Sequence, residues 1–197
     1  MSDLLSILSR DAARYQPLGG IGRNLGFWMV ATHRLQNHAR TLENPLLGLP
    51  LRATCKAASL LWQSLWGVRL SEQATIGPGF CLIHPRDVVV GAASIGENCL
   101  VFHEVTIEGG ANGPRVGDRV DVYVGAKVFG DIQVGNDAKI GANCVVTTDV
   151  DAGCSVATAP SRVIPAAIVG AFGPRCSNSS SGKVGKVSDK GGGFPST

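Results

Sequence analysis

Between residues 70 and 170 an aliphatic side chain returns at every sixth position, and this repeat limits the fold more than any other feature of the chain. Val116, Val122, Val128, Val134, Ile140 and Val146 form an unbroken ladder. Upstream it runs Leu70, Ile76 and Leu82, takes one extra residue to Val89, continues through Ile95, Val101 and Ile107, and takes three more to Val116. A spacing of six suits neither the 3.6-residue turn of a helix nor the two-residue alternation of a flat strand; a short fixed period marks a solenoid. Two positions before each ladder residue stands a second small or apolar one: Ala74, Ala93, Cys99, Val105, Val120, Ala126, Ala138 and Cys144. Polar residues fill the outward positions, and Gly77, Gly96, Gly117, Gly135 and Gly141 allow the chain to bend. The pattern predicts a prism of short strands. Each inward Val or Ile contributes on the order of 1.5–3 kcal/mol when buried, so no rung is stable alone and the stack is cooperative.

Length and charge narrow the reading further. With 197 residues and 44% apolar content the chain has room for one ordinary domain and an appendage. Charge is segregated: residues 1–68 carry seven basic and three acidic groups, residues 69–170 seven and eleven, and residues 171–197 four and one. An acidic repeat domain gives no footing for nucleic acid, which calls for a basic face. The cysteines at 55, 81, 99, 144, 154 and 176 show no CxxC spacing, and Cys99 and Cys144 fall on inward positions. Buried thiols in a reducing cytoplasm are expected, and no metal. The N-terminus lacks the pattern of a signal peptide.

Ahead of the repeat, helices are expected over residues 3–15, 23–42 and 46–67, separated by Pro17-Leu18-Gly19-Gly20 and by Asn44-Pro45. His33 and His38 fall on the second helix, where a packed or polar structural role is expected. Arg52 and Lys56 interrupt the apolar third helix and argue against a membrane span. Docking on the solenoid end or on a partner subunit is the first expectation for that helix; peripheral contact with an anionic membrane, at the inner face, is the second. The resulting division is a helical region at 1–68, a repeat domain at 69–170, and a Gly, Ser and Lys-rich tail at 171–197 expected to be disordered.

The repeat region holds two histidines in the same relation to the ladder, His84 two residues after Leu82 and His103 two after Val101. Nineteen residues separate them, one coil plus the extra residue, so they are expected one strand apart, roughly 5 Å. The first slip in the count falls at Ile83 to Val88, beside His84, and bulges often re-aim side chains at active sites. A pair of exposed corner residues is the alternative. A hydroxyl is a poor nucleophile at neutral pH, and a histidine titrating near 6.5 is suited to take its proton. Asp87, Glu104 and Glu108 are the carboxylates available to hold the imidazole in one tautomer. The second slip, Glu108-Gly109-Gly110-Ala111-Asn112-Gly113-Pro114-Arg115, is a glycine-rich excursion of the kind that carries function on repeat scaffolds.

Taken together, Ile76-Gly77-Pro78-Gly79, Val105-Thr106-Ile107, Val124-Gly125-Ala126-Lys127-Val128 and Ala138 through Val146 resemble the hexapeptide-repeat acyltransferases, in particular the serine acetyltransferase branch. The resemblance implies a left-handed parallel β-helix of three rungs per coil, matching the eighteen residues from Val116 to Val134, and a homotrimer with sites between neighbouring prisms. It implies acetyl-CoA as donor and His84 as general base; His103 is expected to assist from the next coil, with Asp87 or Glu104 as supporting carboxylate. Along the cofactor groove it implies Gly110, Val124, Gly125, Lys139 and Ala142, with Arg162 either contacting the cofactor there or capping the end of the β-helix.

Three acceptor-side positions depart from that branch. Ile83 precedes the histidine where serine acetyltransferases generally have Asp, Arg69 stands where they have another Asp, and Asn112-Gly113 replaces an Arg-His pair. A zwitterionic amino acid calls for a cation on its carboxylate and an anion on its ammonium. Arg86 or Arg115 are the substitutes at hand for the cation; Ile83 is no anion. The pairs Ile83-His84 and His103-Glu104-Val105-Thr106-Ile107 are closer in pattern to polysaccharide-biosynthesis O-acetyltransferases of the colanic-acid type. The sequence therefore predicts O-acetylation of a sugar hydroxyl in polysaccharide biosynthesis, with L-serine as the alternative acceptor. A non-catalytic assembly scaffold, the third possibility, does not account for the histidine pair or the glycine-rich loop.

Overall fold

The computed structural model describes residues 2–159, so Arg162 and the tail at 171–197 lie outside the described residues. Three helices, α1 (Ser2–Tyr15), α2 (Leu25–Thr41) and α3 (Pro45–Trp66), precede a parallel β-solenoid. Its strands are two or three residues long and form three faces. Face A holds β1 (Arg69–Leu70), β4 (Val89–Val90), β7 (Thr106–Glu108), β10 (Lys127–Phe129) and β13 (Val145–Val146). Face B holds β2 (Thr75–Ile76), β5 (Ser94–Ile95), β8 (Arg115–Val116) and β11 (Gln133–Val134), and face C holds β3 (Cys81–Leu82), β6 (Leu100–Val101), β9 (Asp121–Val122), β12 (Lys139–Ile140) and β14 (Ser155–Val156). The chain winds A to B to C through about five turns, the prism that the repeat predicts and the left-handed β-helix that the family resemblance implies.

The ladder residues are the core. Ile76, Leu82, Ile95, Val101, Ile107, Val116, Val122, Val128, Val134, Ile140 and Val146 are buried, as are all eight small residues two positions upstream. One rung differs from the sequence-based count. Leu70 pairs with Val90, and Val90 with Ile107, so Val90 points inward and Val89 outward. Val88 and Val90 are fully buried, whereas Val89 is half-buried. Three consecutive valines are chemically identical, and only the pairing decides which of them faces the core. The correction enlarges the slip at His84: Leu82 to Val90 is eight positions where a regular corner takes six, and the next corner, Val90 to Ile95, is one shorter than regular.

A solenoid has an open end, and the first coil's unpaired backbone groups need partners. The helices supply them as side chains. Asp11, fully buried, accepts hydrogen bonds from the N–H groups of Gly79 (2.7 Å) and Phe80 (3.1 Å), and pairs with the buried Arg34 at 3.0 Å. Arg34 in turn donates to the carbonyls of Ile76 and Gly77. The Tyr15 hydroxyl accepts from Leu82 N–H at 2.9 Å, two residues before His84. His33 donates from Nε2 to the Ser71 carbonyl at 3.0 Å, which gives it the structural role its helix position predicts. On α3, Cys55 is buried and Trp62 and Trp66 pack against the core, so one side of that helix docks on the solenoid end as expected.

Two predictions follow from this packing. Val134→Asp buries a charge with no partner between two coils and is expected to cost at least about 4 kcal/mol, read by urea unfolding. Burial pushes the His33 pKa down to about 4, so the fold prefers the neutral ring. The unfolded chain takes up this proton below about pH 6.5, hence the His33 contribution is complete above that value and is lost as pH falls toward 4. Of the order of 3 kcal/mol of stability disappears across that window, and His33→Gln removes this part of the pH dependence.

Candidate active site

His84 and His103 lie on the same edge of the prism, the one where face C turns into face A. The register Leu82 with Val101 puts them opposite one another when counted from the strands. Counted back from the far side of the corner, Glu104 N–H bonds the Arg86 carbonyl, which aligns Glu104 with Asp87. The two extra residues therefore lie within His84-Pro85-Arg86, and they push His84 out of the regular path. Its φ is +49°, in the left-handed region that a bulky side chain rarely adopts, and it is exposed. His103 is half-buried, and its Nδ1 is buried without a hydrogen-bond partner. What sets this corner apart from the other left-handed corners of the prism is that its extra residues displace His84 next to a half-buried imidazole whose Nδ1 has no partner.

Several of the other expected residues share this edge. Asp87, Glu104, Gly125 and Asn143 occupy equivalent left-handed corner positions in successive coils, with Val124 and Ala142 one residue before the last two. A side chain at position 125 would put its Cβ 2.1 Å from Asn143 Oδ1, so any residue but glycine there displaces the Asn143 side chain. From the His84 coil to the Ala142 coil the edge runs three strand spacings, about 14 Å. Phe102 and Tyr123, directly before His103 and Val124, stack at 5.3 Å with ring planes 20° apart. Lys139 lies beside the edge, on β12 of face C, and is exposed. Lys127, which the sequence did not single out, donates to the Glu104 carbonyl. Of the candidate carboxylates, Glu108 is engaged by Arg69 at 3.1 Å across face A, and the Asp87 carboxylate stands over Gly67.

The glycine-rich loop is not on this edge. Residues 109–114 join face A to face B, so Gly110 and the histidines of one chain are separated by the strand Thr106–Glu108 and its flanks. The loop is nevertheless a built structure. Asp131 accepts backbone hydrogen bonds from Ala111 (3.2 Å), Asn112 (2.8 Å) and Gly113 (3.0 Å), and these hold its carboxyl below the usual carboxylate range. A Cβ on Gly113 would fall 1.4 Å from the Ala92 carbonyl oxygen. Sequence reasoning missed Asp131; the signal was Gly130-Asp131 at the same corner one coil after the loop. A recess of about 610 Å³ opens between α1, α2 and the first coil, but none of its lining residues belongs to the histidine edge.

This architecture and edge define a hexapeptide-repeat acyltransferase scaffold of the left-handed β-helix class. No family model matches the chain. It is 32% identical over 169 residues to the serine acetyltransferase of Synechococcus elongatus, covering 83% of this chain and 66% of that one. With the serine acetyltransferase of Helicobacter pylori it shares 37% identity over 115 residues, 55% of this chain and 67% of that one. Among solved structures, the serine acetyltransferase of Neisseria gonorrhoeae superposes with a TM-score of 0.67 at 26% identity, covering 84% of this chain and 69% of that one. The chain belongs to the serine acetyltransferase family. It spans about two thirds of the length of these two sequence relatives.

The loop anchor gives a direct test. Asp131→Ala is expected to accelerate amide exchange at Ala111, Asn112 and Gly113 by at least about tenfold while leaving the solenoid strands unchanged, as read by hydrogen–deuterium exchange.

Proposed function

We propose that the protein is an acetyl-CoA-dependent O-acetyltransferase, with L-serine as acceptor. The observation that carries this reading is the pairing of His84 and His103 on one edge, at the only corner of face C with face A that departs from six residues among the described coils. His84 takes the proton of the acceptor hydroxyl as its oxygen attacks the acetyl carbonyl. The tetrahedral oxyanion then collapses, the carbon–sulfur bond breaks, and the CoA thiolate leaves with the proton returned from His84. His103, one coil on, supplies a second imidazole to the oxyanion. With Glu108 held by Arg69, the supporting carboxylate is Asp87 or Glu104 on the same edge.

Acetyl-CoA lies along the edge, past Val124, Gly125 and Ala142, where backbone groups and a glycine leave room for an extended pantetheine arm and Lys139 is at hand for phosphate. Arg162, outside the described residues, belongs to the same proposal. A related solved serine acetyltransferase carries CoA, at 23% identity to this chain. The division at residues 68 and 170 and the homotrimer also belong to it. The loop and the histidines occupy different edges of one prism, and a threefold arrangement that lays a neighbour's loop over the histidine edge unites them.

The relatives are named for serine, and on that ground serine replaces the sugar that the residue pattern around His84 favours. A neutral hydroxyl acceptor is the second reading. It has its own support: Ile83 precedes His84, Arg69 is engaged by Glu108, and the loop's Asn112-Gly113 N–H groups are taken by Asp131, so none of these three positions offers a charged clamp for an amino acid.

Thiol release from acetyl-CoA, followed with serine and with neutral sugars in turn, separates the readings. Saturable release with serine supports the first, and release with sugars alone supports the second. His84→Ala is expected to lower kcat by about 10²–10⁴-fold while leaving CoA binding intact. Unchanged turnover in that variant contradicts the base assignment, and a monomeric mass in solution contradicts the trimer.

A further inference from the structure

The helix α3 has a second apolar face that nothing among the described residues covers. Viewed along its axis, Cys55, Trp62 and Trp66 point to α2 and the solenoid, while Leu46, Leu49, Leu60 and Leu61 point the opposite way, with Leu47 and Leu65 beside them. These six leucines are 57–83% exposed. A helix with apolar residues on two opposite faces ordinarily buries both, and a patch of this size marks a binding surface. At 22 residues the helix is about 33 Å long, but among the described residues no helix is long and apolar enough to cross a membrane.

We propose that this face rests on an anionic lipid bilayer, with α3 lying in the plane of the interface. The charges beside it argue for this occupant. Over Pro45–Trp66 there is no acidic residue, and both cations, Arg52 and Lys56, lie on one flank of the leucine face. There they line a recess with Arg40, Gln36 and Glu72, three cations to one carboxylate. A leucine ridge bordered by cations is the arrangement that seats a helix at the headgroup boundary, where apolar burial and attraction to anionic lipid add. A second copy packed antiparallel and face to face through α3 would instead bring the Arg52 and Lys56 flanks of both chains together with no acid on either helix. The N-terminal region as a whole, with seven basic groups to three acidic, has the same sign. This inference is independent of the acetyl-transfer reading.

The test is co-sedimentation of the full chain with vesicles of phosphatidylcholine, with and without roughly a quarter phosphatidylglycerol, alongside Leu60→Glu/Leu61→Glu and Lys56→Glu. Both leucines are exposed, so an unchanged circular dichroism melt certifies the fold of the double variant. The expected result is binding to the anionic vesicles that weakens with salt and is lost on phosphatidylcholine alone. It falls at least about tenfold in the double variant and by a smaller factor in Lys56→Glu. Absence of binding to the anionic vesicles overturns the proposal. So does a drop in the solution mass of the double variant, measured by light scattering, since that places a second copy on the face.

Discussion

Every functional statement about this protein depends on the parallel hydrogen-bonded register between successive coils. The strands are too short to be stable alone, and each is fixed only by donating to the coil on one side and accepting from the coil on the other. Residues far apart in sequence are therefore brought to one edge by counting. Leu82 aligned with Val101 brings His84 and His103 to the same corner, and the same count strings Val124, Gly125 and Ala142 after them. The ladder also dictates where irregularity is allowed. Extra residues enter at corners, where they displace no inward side chain, and both insertions are found there: two residues at His84 and three in the loop after Glu108.

A register propagates only if its first coil is pinned, and the N-terminal helices do this with polar side chains. Asp11 and Arg34 form a buried ion pair whose remaining bonding capacity is spent on two backbone N–H groups and two carbonyls of the first coil, which offsets the desolvation of both charges. Tyr15 and His33 satisfy one further group each. The helical region is thus the cap of the solenoid. Because Tyr15 bonds Leu82, the cap is anchored two residues from the displaced His84.

The ladder, the two corners with extra residues, the three helices and the histidine edge were legible in the sequence, since each is a matter of spacing. The six-residue count puts Val89 in the core in place of Val90 because three adjacent valines carry no pattern, and only the pairing with Leu70 and Ile107 distinguishes them. Asp11, Arg34 and Asp131 were not legible as anchors. Their partners are backbone groups 18 to 69 residues away, and a backbone group has no identity in a sequence. The separation of the glycine loop from the histidines was not legible, because it depends on which pair of faces each corner joins, and only the strand order shows that. The acceptor was the least legible. The departures at Arg69, Ile83 and Asn112-Gly113 point away from an amino acid, while the relatives carry the serine name, and the two kinds of information weigh different parts of the site.

The central claim is that the winding makes one functional unit of His84 and His103. A double-mutant cycle in kcat/KM, with His84→Ala, His103→Ala and the pair, measures this directly. If the two rings act on one reacting centre, the double variant is little worse than the more damaged single variant. Losses that simply multiply would mean that the two imidazoles act independently, and the account of the edge as a single site would be contradicted.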